Sequence, residues 1–448
     1  MRAAFILLLL LGGMHLILPL GQQGLGAESL LAFGFLILAA WTFRELVGPL
    51  RFPHIVAFLI AGVIFGPQGL GTVSPAGIER LSPVSDLAIA MIAFLAGAEL
   101  SVKEVKERGG QFVRVLSTEL SLTFVLLLVF LFAVRSQLTF LEGLPPGSDL
   151  AFIILFSAVA TAHSPAATLA VLSETRARGP VARTTLGVVL LSDVAVVLLV
   201  TLAVTLARLV SPPSDGGNVS LANAAWEIGG ALLIGIPLGI AIAAYTRFVH
   251  RQLILFGVVI AFLGGEIAQL LHVDMLIVLI IAGFLTENLS APDRAHELRT
   301  AMERSAAPVF VVFFALAGAK IDVLLVISLL PILAPLYLIR IGGIFIGTKV
   351  GAHWAKLSTP ERKYTWLGLV SQAGVAIGLA TAVGEVYPGV GPHVRNTMLA
   401  LIALNELTGP ILFRRALTKA GEVDTVSRES PLPFAQVAEE NAPATVAG

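Results

Sequence analysis

Apolar runs of roughly 20 residues, the length a helix needs to cross a bilayer, recur along the whole chain between short charged or Pro/Gly-rich gaps. This pattern predicts fourteen helices, near 3–20, 27–43, 52–66, 84–98, 112–134, 149–172, 184–207, 224–245, 252–271, 275–289, 306–319, 323–348, 364–384 and 396–413. With the N-terminus on the inner side, 23 of the 29 basic residues fall on that side and five on the other, while Arg340 lies inside a helix. Cytoplasmic loops of membrane proteins are enriched in Lys and Arg, so this count supports the helix number and a cytoplasmic C-terminus. The expected fold class is an all-α polytopic membrane protein of 13–14 transmembrane helices, in the lipid bilayer of a plasma membrane such as a bacterial inner membrane.

Composition sharpens the picture. Of 448 residues, 56% are hydrophobic and 13% charged, against about 25% charged in a soluble domain. Formal net charge is zero, so nothing draws the chain to nucleic acid. Cysteine is absent, which excludes disulfides, thiolate metal sites and cysteine nucleophiles. Residues 1–26 read as an extra N-terminal helix or a signal-like segment; retention is favoured, because no clear Ala-x-Ala site follows the apolar run. Residues 421–448 carry no apolar period and read as a disordered cytoplasmic tail.

One segment repeats. Ala96-Gly97-Ala98-Glu99-Leu100-Ser101-Val102 returns as Ala317-Gly318-Ala319-Lys320-Ile321-Asp322-Val323, each copy closing an apolar helix. The charge count puts the copies at opposite membrane faces. Two inverted repeats follow, the plan on which many secondary transporters build a midplane site.

Ionisable groups deep in a span are costly and mark function. Asp193 lies ten residues after Arg183, which places it about 15 Å into a core about 30 Å thick. Arg340 is nine residues from Lys349, again deep; it stays protonated and needs an acceptor. Thr161-Ala162-His163-Ser164-Pro165 puts a proline where a continuous helix needs an N–H, so 149–172 reads as a broken helix. Its counterpart is Ser371-Gln372-Ala373-Gly374 in 364–384. Paired interruptions present half-helix dipoles and free carbonyls at the midplane. His163 is open to two readings, a buried structural imidazole or an ion or proton ligand. Glu119, Glu266 and Glu406 are read as structural, and His296-Glu297 as part of a basic loop. Phosphate-cradling, zinc-pair and nucleophile-elbow motifs are missing, so neither an enzyme nor a cofactor is expected.

The chain resembles the monovalent cation:proton antiporter superfamily, nearer its antiporter-2 branch. The resembling residues are Ala61 to Gly71 (AGVIFGPQGLG), Phe94 to Leu100 (FLAGAEL), the Thr161–Pro165 break, Leu191-Ser192-Asp193, Arg340 with Gly343 and Gly347, and Gly409-Pro410-Ile411-Leu412. The resemblance implies two inverted six-helix repeats at 27–207 and 252–413, a linker helix at 224–245, crossing broken helices in a mobile core, and a homodimer. It departs from the family pattern at Ser192, where relatives look like Asp-Asp or Asn-Asp, and at His163. The implied function is exchange of Na⁺ or K⁺ for H⁺, with Asp193 binding either a proton or the monovalent cation. Ser192, Thr161, Ser164, His163 and Gln372 are its expected companions and Arg340 its counter-charge. Two other readings remain at this point: a sodium-coupled organic-anion symporter of similar fold, and a non-transporting membrane sensor.

Overall fold

The computed structural model describes residues 27–47, 53–211, 221–249, 252–271, 273–387 and 389–423. The N-terminal segment 1–26 and the tail from 424 lie outside them. Sixteen α-helices form among the described residues: α1 (Ala27–Val47), α2 (His54–Phe65), α3 (Pro75–Arg80), α4 (Ser82–Ala98), α5 (Val102–Ala133), α6 (Ser148–Val159), α7 (Pro165–Thr175) and α8 (Pro180–Val210) in the first half. The second half contains α9 (Leu221–Phe248), α10 (Leu253–Leu270), α11 (Met275–Leu289), α12 (Pro292–Ala319), α13 (Val323–Trp354), α14 (Thr359–Gly368), α15 (Gly374–Val386) and α16 (Gly391–Ala420). Six of them, α5, α8, α9, α10, α13 and α16, are long and apolar enough to cross a membrane unaided.

Both expected interruptions are present. The span 149–172 is α6 and α7 with 160–164 unwound, and 364–384 is α14 and α15 with 369–373 unwound. Pro165 starts α7 at its first helical position, where a missing N–H costs nothing, and Ser164 caps it by accepting from the Ala167 N–H at 3.1 Å. Several helices run past their apolar stretch into charged sequence. The largest difference is α12, which starts at Pro292 rather than 306. His296 and Glu297 are therefore helical, not part of a loop. Pro292 and Asp293 open that helix and good helix formers continue it, a signal that hydropathy alone does not carry.

The repeat is exact in register through four helices. A shift of 221 carries Val102–Ala133 onto Val323–Trp354, and Ala98, the end of α4, onto Ala319, the end of α12. Backbone contacts obey the same shift. A Cβ on Gly97 would lie 1.9 Å from the carbonyl oxygen of Ile280, and one on Gly318 would lie 2.0 Å from that of Leu59. Reciprocally, a Cβ on Gly283 would meet the Phe94 oxygen at 2.0 Å and one on Gly62 the Ala315 oxygen at 1.9 Å. In lipid, where no hydrophobic force drives helices together, such close approach at small residues supplies the packing energy. Thus α4 lies on α11 as α12 lies on α2.

Buried clusters divide the helices into two bodies. Leu120, Phe152, Val196, Leu336, Ala376 and Leu401 belong to one, formed by α5, α6, α8, α13, α15 and α16. Met91, Ala231, Ala261, Val278 and Leu298 belong to the other, formed by α4 and α9 to α12. A third cluster joins α2 and α12 to α7, α8 and α16, and so spans the seam between the core body and the scaffold body.

Candidate ion-binding site

The two unwound segments meet. The Gln372 side-chain amide donates to the carbonyls of Ala160 at 3.0 Å and Ala162 at 3.1 Å. Arg340, fully buried on α13, reaches the same place. Its Nε donates to Ala160 O at 2.7 Å, one terminal nitrogen to Ala162 O at 2.9 Å, and the other to Val370 O at 2.8 Å and to Asn405 Oδ1 at 3.1 Å. Four of the five guanidinium N–H groups are thereby used. The carbonyls freed by unwinding α6 and α14 would each be expensive to leave unpaired in the membrane, and a planar fork satisfies three of them at once. Asn405 completes the set: its amide donates to Gln372 Oε1 at 2.8 Å and to Leu401 O at 2.9 Å.

None of these bonds reaches Asp193, so Arg340 is not a direct hydrogen-bond partner for that carboxylate. Glu119 of α5 acts on Arg340 electrostatically, without a direct ion pair among the described residues. Gly343 and Gly347 let α13 lie against α5, with a Cβ on Gly347 only 2.6 Å from Glu119 Cα. Glu119 is fully buried; Oε1 accepts from Thr123 at 2.8 Å, and Oε2 lies 3.4 Å from His163 Nε2 in the first break.

Asp193 sits near the middle of the 31-residue α8 and is 4% exposed. Neither of its carboxylate oxygens has a hydrogen-bond partner. Among the described residues, no basic side chain comes within 4 Å of it. The charge that acts on it is another acid, Asp274, which caps α11 by accepting from the Ile277 N–H at 2.8 Å. A buried carboxylate without donors is costly as an anion and must acquire a proton or a cation. Along the same face of α8, Ala182 and Leu186 line a cavity of about 500 Å³. Positions 182, 186 and 193 share that face at helical spacing. The cavity opens among Glu99, Arg108, Arg178 and Arg299, on the arginine-rich face. Leu186 is two turns, about 10 Å, short of Asp193.

The other expected companions fall as follows. Thr161 donates its hydroxyl proton to Ala158 O at 2.7 Å and Ser192 to Val189 O at 2.7 Å, so both oxygens keep lone pairs. Ser164 Oγ already accepts one backbone N–H. His163 has both ring nitrogens buried without a hydrogen bond. The Gln372 amide donates into the first break, and its oxygen accepts one bond from Asn405 of α16 and keeps a second lone pair. The carbonyls of Ala160 and Ala162 are likewise occupied by donors. Asn405 and the place of Glu119 beside His163 escape a reading of the sequence, because each is defined by contacts between helices far apart in the chain.

A family model for the transmembrane sodium/hydrogen exchanger matches residues 33–414. The chain belongs to the sodium/hydrogen exchanger family. Among curated relatives, the Na(+)/H(+) antiporter NhaS5 of Synechocystis is 22% identical over 418 residues, covering 90% of this chain and 56% of that protein. The chain thus spans a little over half the length of that relative. The probable Na(+)/H(+) antiporter 3 of Methanocaldococcus jannaschii is 24% identical over 383 residues, covering 83% of this chain and 92% of the relative. Among solved structures, the sodium proton antiporter MjNhaP1 from the same organism superposes with a TM-score of 0.67 at 17% identity, covering 89% of this chain and 98% of that one. That likeness supports the inverted-repeat fold with crossing broken helices.

Proposed function

We propose that this exchanger swaps one Na⁺ or K⁺ for one H⁺ by alternating access, with Asp193 as the shared ligand. The observation that carries the reading is the Asp193 carboxylate, buried at mid-helix with both oxygens unpartnered, on the α8 face that leads to the cavity. A proton and a dehydrated cation compete for its single charge. The hydroxyl oxygens of Thr161, Ser192 and Ser164 are the neutral ligands in this reading. Glu119 acts on Arg340 electrostatically, and Asp193 is the group whose load changes in this reading. Movement of the core body against the scaffold body would expose the site to either side, and this arrangement is the one open on the arginine-rich, cytoplasmic face. A homodimer built on the scaffold is part of the same reading.

Proteoliposomes with an internal pH dye test it. Imposed Na⁺, K⁺, Li⁺ or Rb⁺ gradients drive proton flux in the wild type. Asp193→Asn folds and abolishes that flux. Residual exchange above about a tenth of wild type refutes the assignment, since loss of an essential charge costs at least ~1.4 kcal/mol in the barrier.

A further inference from the structure

Glu174, in the last turn of α7, is bound to both bodies at once. One carboxylate oxygen accepts from the backbone N–H of His54 at 2.7 Å. The other accepts from Arg414 at 3.1 Å. His54 is the first residue of α2, whose preceding residue, Pro53, supplies no side-chain cap. The helix therefore takes its capping carboxylate from 120 residues away in sequence. The His54 ring nitrogen Nδ1 lies 3.8 Å from the same group, and Arg44 of α1 acts on it electrostatically. Helix α2 is fixed to α12 through the Gly62 and Gly318 contacts and belongs to the scaffold. Glu174 and Arg414 ride on α7 and α16, elements of the body that holds the breaks and Asp193. The Glu174 side chain is 11% exposed.

We infer that Glu174 is a latch between the moving core and the scaffold, holding the exchanger in the arrangement whose cavity is open on the arginine-rich face. This rests on the alternating-access reading above. A backbone N–H bond of 2.7 Å is lost once donor and acceptor separate beyond about 3.5 Å, so a displacement of α7 along α2 by one ångström or so breaks it. Release leaves the α2 N-terminus without its acceptor and moves the carboxylate away from Arg44, while Arg414 travels with it. The contact thus stabilises one of the two states only, and a contact with differential affinity is what sets their populations.

The absence of cysteine gives a clean test, because any introduced cysteine is the sole thiol. Ala182→Cys reports the cavity. Val194→Cys reports the far side of the seam, where α8 packs on the scaffold cluster. Each is labelled with a membrane-impermeant methanethiosulfonate in vesicles of known orientation, with and without Glu174→Ala. The expected result is slower labelling of Ala182→Cys from the arginine-rich face and about tenfold faster labelling of Val194→Cys from the opposite face, the equilibrium factor of one charge-assisted hydrogen bond. Glu174→Gln keeps an acceptor for His54 and falls between. Rates within twofold of the parent in folded Glu174→Ala overturn the latch. Should that variant fail to purify, Glu174→Gln carries the test, raising the far-side rate about threefold, and an unchanged rate overturns it. The readout is labelling, so it stands apart from the Asp193→Asn flux measurement: exchange that survives Asp193→Asn removes the site, whereas unchanged labelling removes only the latch.

Discussion

Glu119 and Arg340 are equivalent positions of the two inverted repeats, 221 residues apart on α5 and α13, and they carry opposite charges. Repeats of like sequence would place like charges on the two sides of the pseudo-twofold axis, and two buried like charges repel. Opposite charges instead give a neutral core, and they differentiate the halves chemically. Arg340 braces both unwound segments, while Glu119 faces only His163 in the first. An inverted repeat that is symmetric in backbone is thereby asymmetric where the two breaks meet.

The brace predicts a graded result at position 340. Arg340→Gln leaves Val370 O without its donor and removes one of the two donors that Ala160 O and Ala162 O each accept, and it should cost about 1–3 kcal/mol, the range for a buried polar group left unsatisfied. Arg340→Lys keeps the charge but cannot reach three carbonyls with one ammonium, so it should lie between Gln and wild type. Thermal unfolding in nanodiscs reads this order. Wild-type stability in Arg340→Lys would show that charge alone suffices.

Close helix approach predicts a contrast between glycines of similar appearance in the sequence. At Gly97 a Cβ would sit 1.9 Å from a carbonyl oxygen, whereas at Gly342 it meets nothing within 4 Å. Gly97→Ala must therefore push α4 off α11 and should destabilise by more than about 2 kcal/mol. Gly342→Ala should be neutral or stabilising by up to about 1 kcal/mol, from helix propensity. Equal melting temperatures for the two variants would contradict the contact.

Much of this arrangement was readable before any coordinates. The apolar period located the spans, Pro165 located one break, and the Ala-Gly-Ala repeat announced the inversion, because each is a local signal with one physical cause. The start of α12 was not readable from hydropathy, since charged helix formers extend a helix into water without an apolar period. The place of Gln372 in the second break is legible, but its bonding is not: an amide offers both donor and acceptor ends, and only the neighbouring carbonyls of Ala160 and Ala162 decide that its N–H groups face the first break. Asn405 could not be found at all, because an asparagine in an apolar helix gains meaning only from what stands across from it.

Competition at one carboxylate fixes the direction of the pH effect. Protonation of Asp193 removes the charge that the cation needs, so lowering pH must raise the apparent KM for the cation while leaving the limiting rate at saturating cation unchanged. Where the protonated form predominates, the rise approaches tenfold per pH unit for a single proton. Initial rates over a cation-by-pH grid test this. A KM independent of pH, with only the maximal rate changing, would mean that proton and cation occupy different groups.

The final prediction is electroneutral exchange, and it follows from counting the charges of the core. Glu119 acts on Arg340 electrostatically, and the count takes Arg340, Glu119 and the buried Glu406 to keep the same charge in both states. Ser192, beside Asp193, is an alcohol and does not ionise in the working range. Asp193 then alternates between a proton and one monovalent cation, both of which neutralise it, and the loaded core crosses uncharged in each direction. His163 is the residue that could alter the count. Its imidazole stands 3.4 Å from Glu119, and a proton gained there would make the Glu119, His163 and Arg340 group positive. Flux measured at clamped voltages separates the cases. One-for-one exchange gives a null-point cation gradient equal to the proton gradient at every potential. A null point that moves with voltage rejects it, and voltage independence regained in His163→Thr would identify the histidine as the second proton carrier.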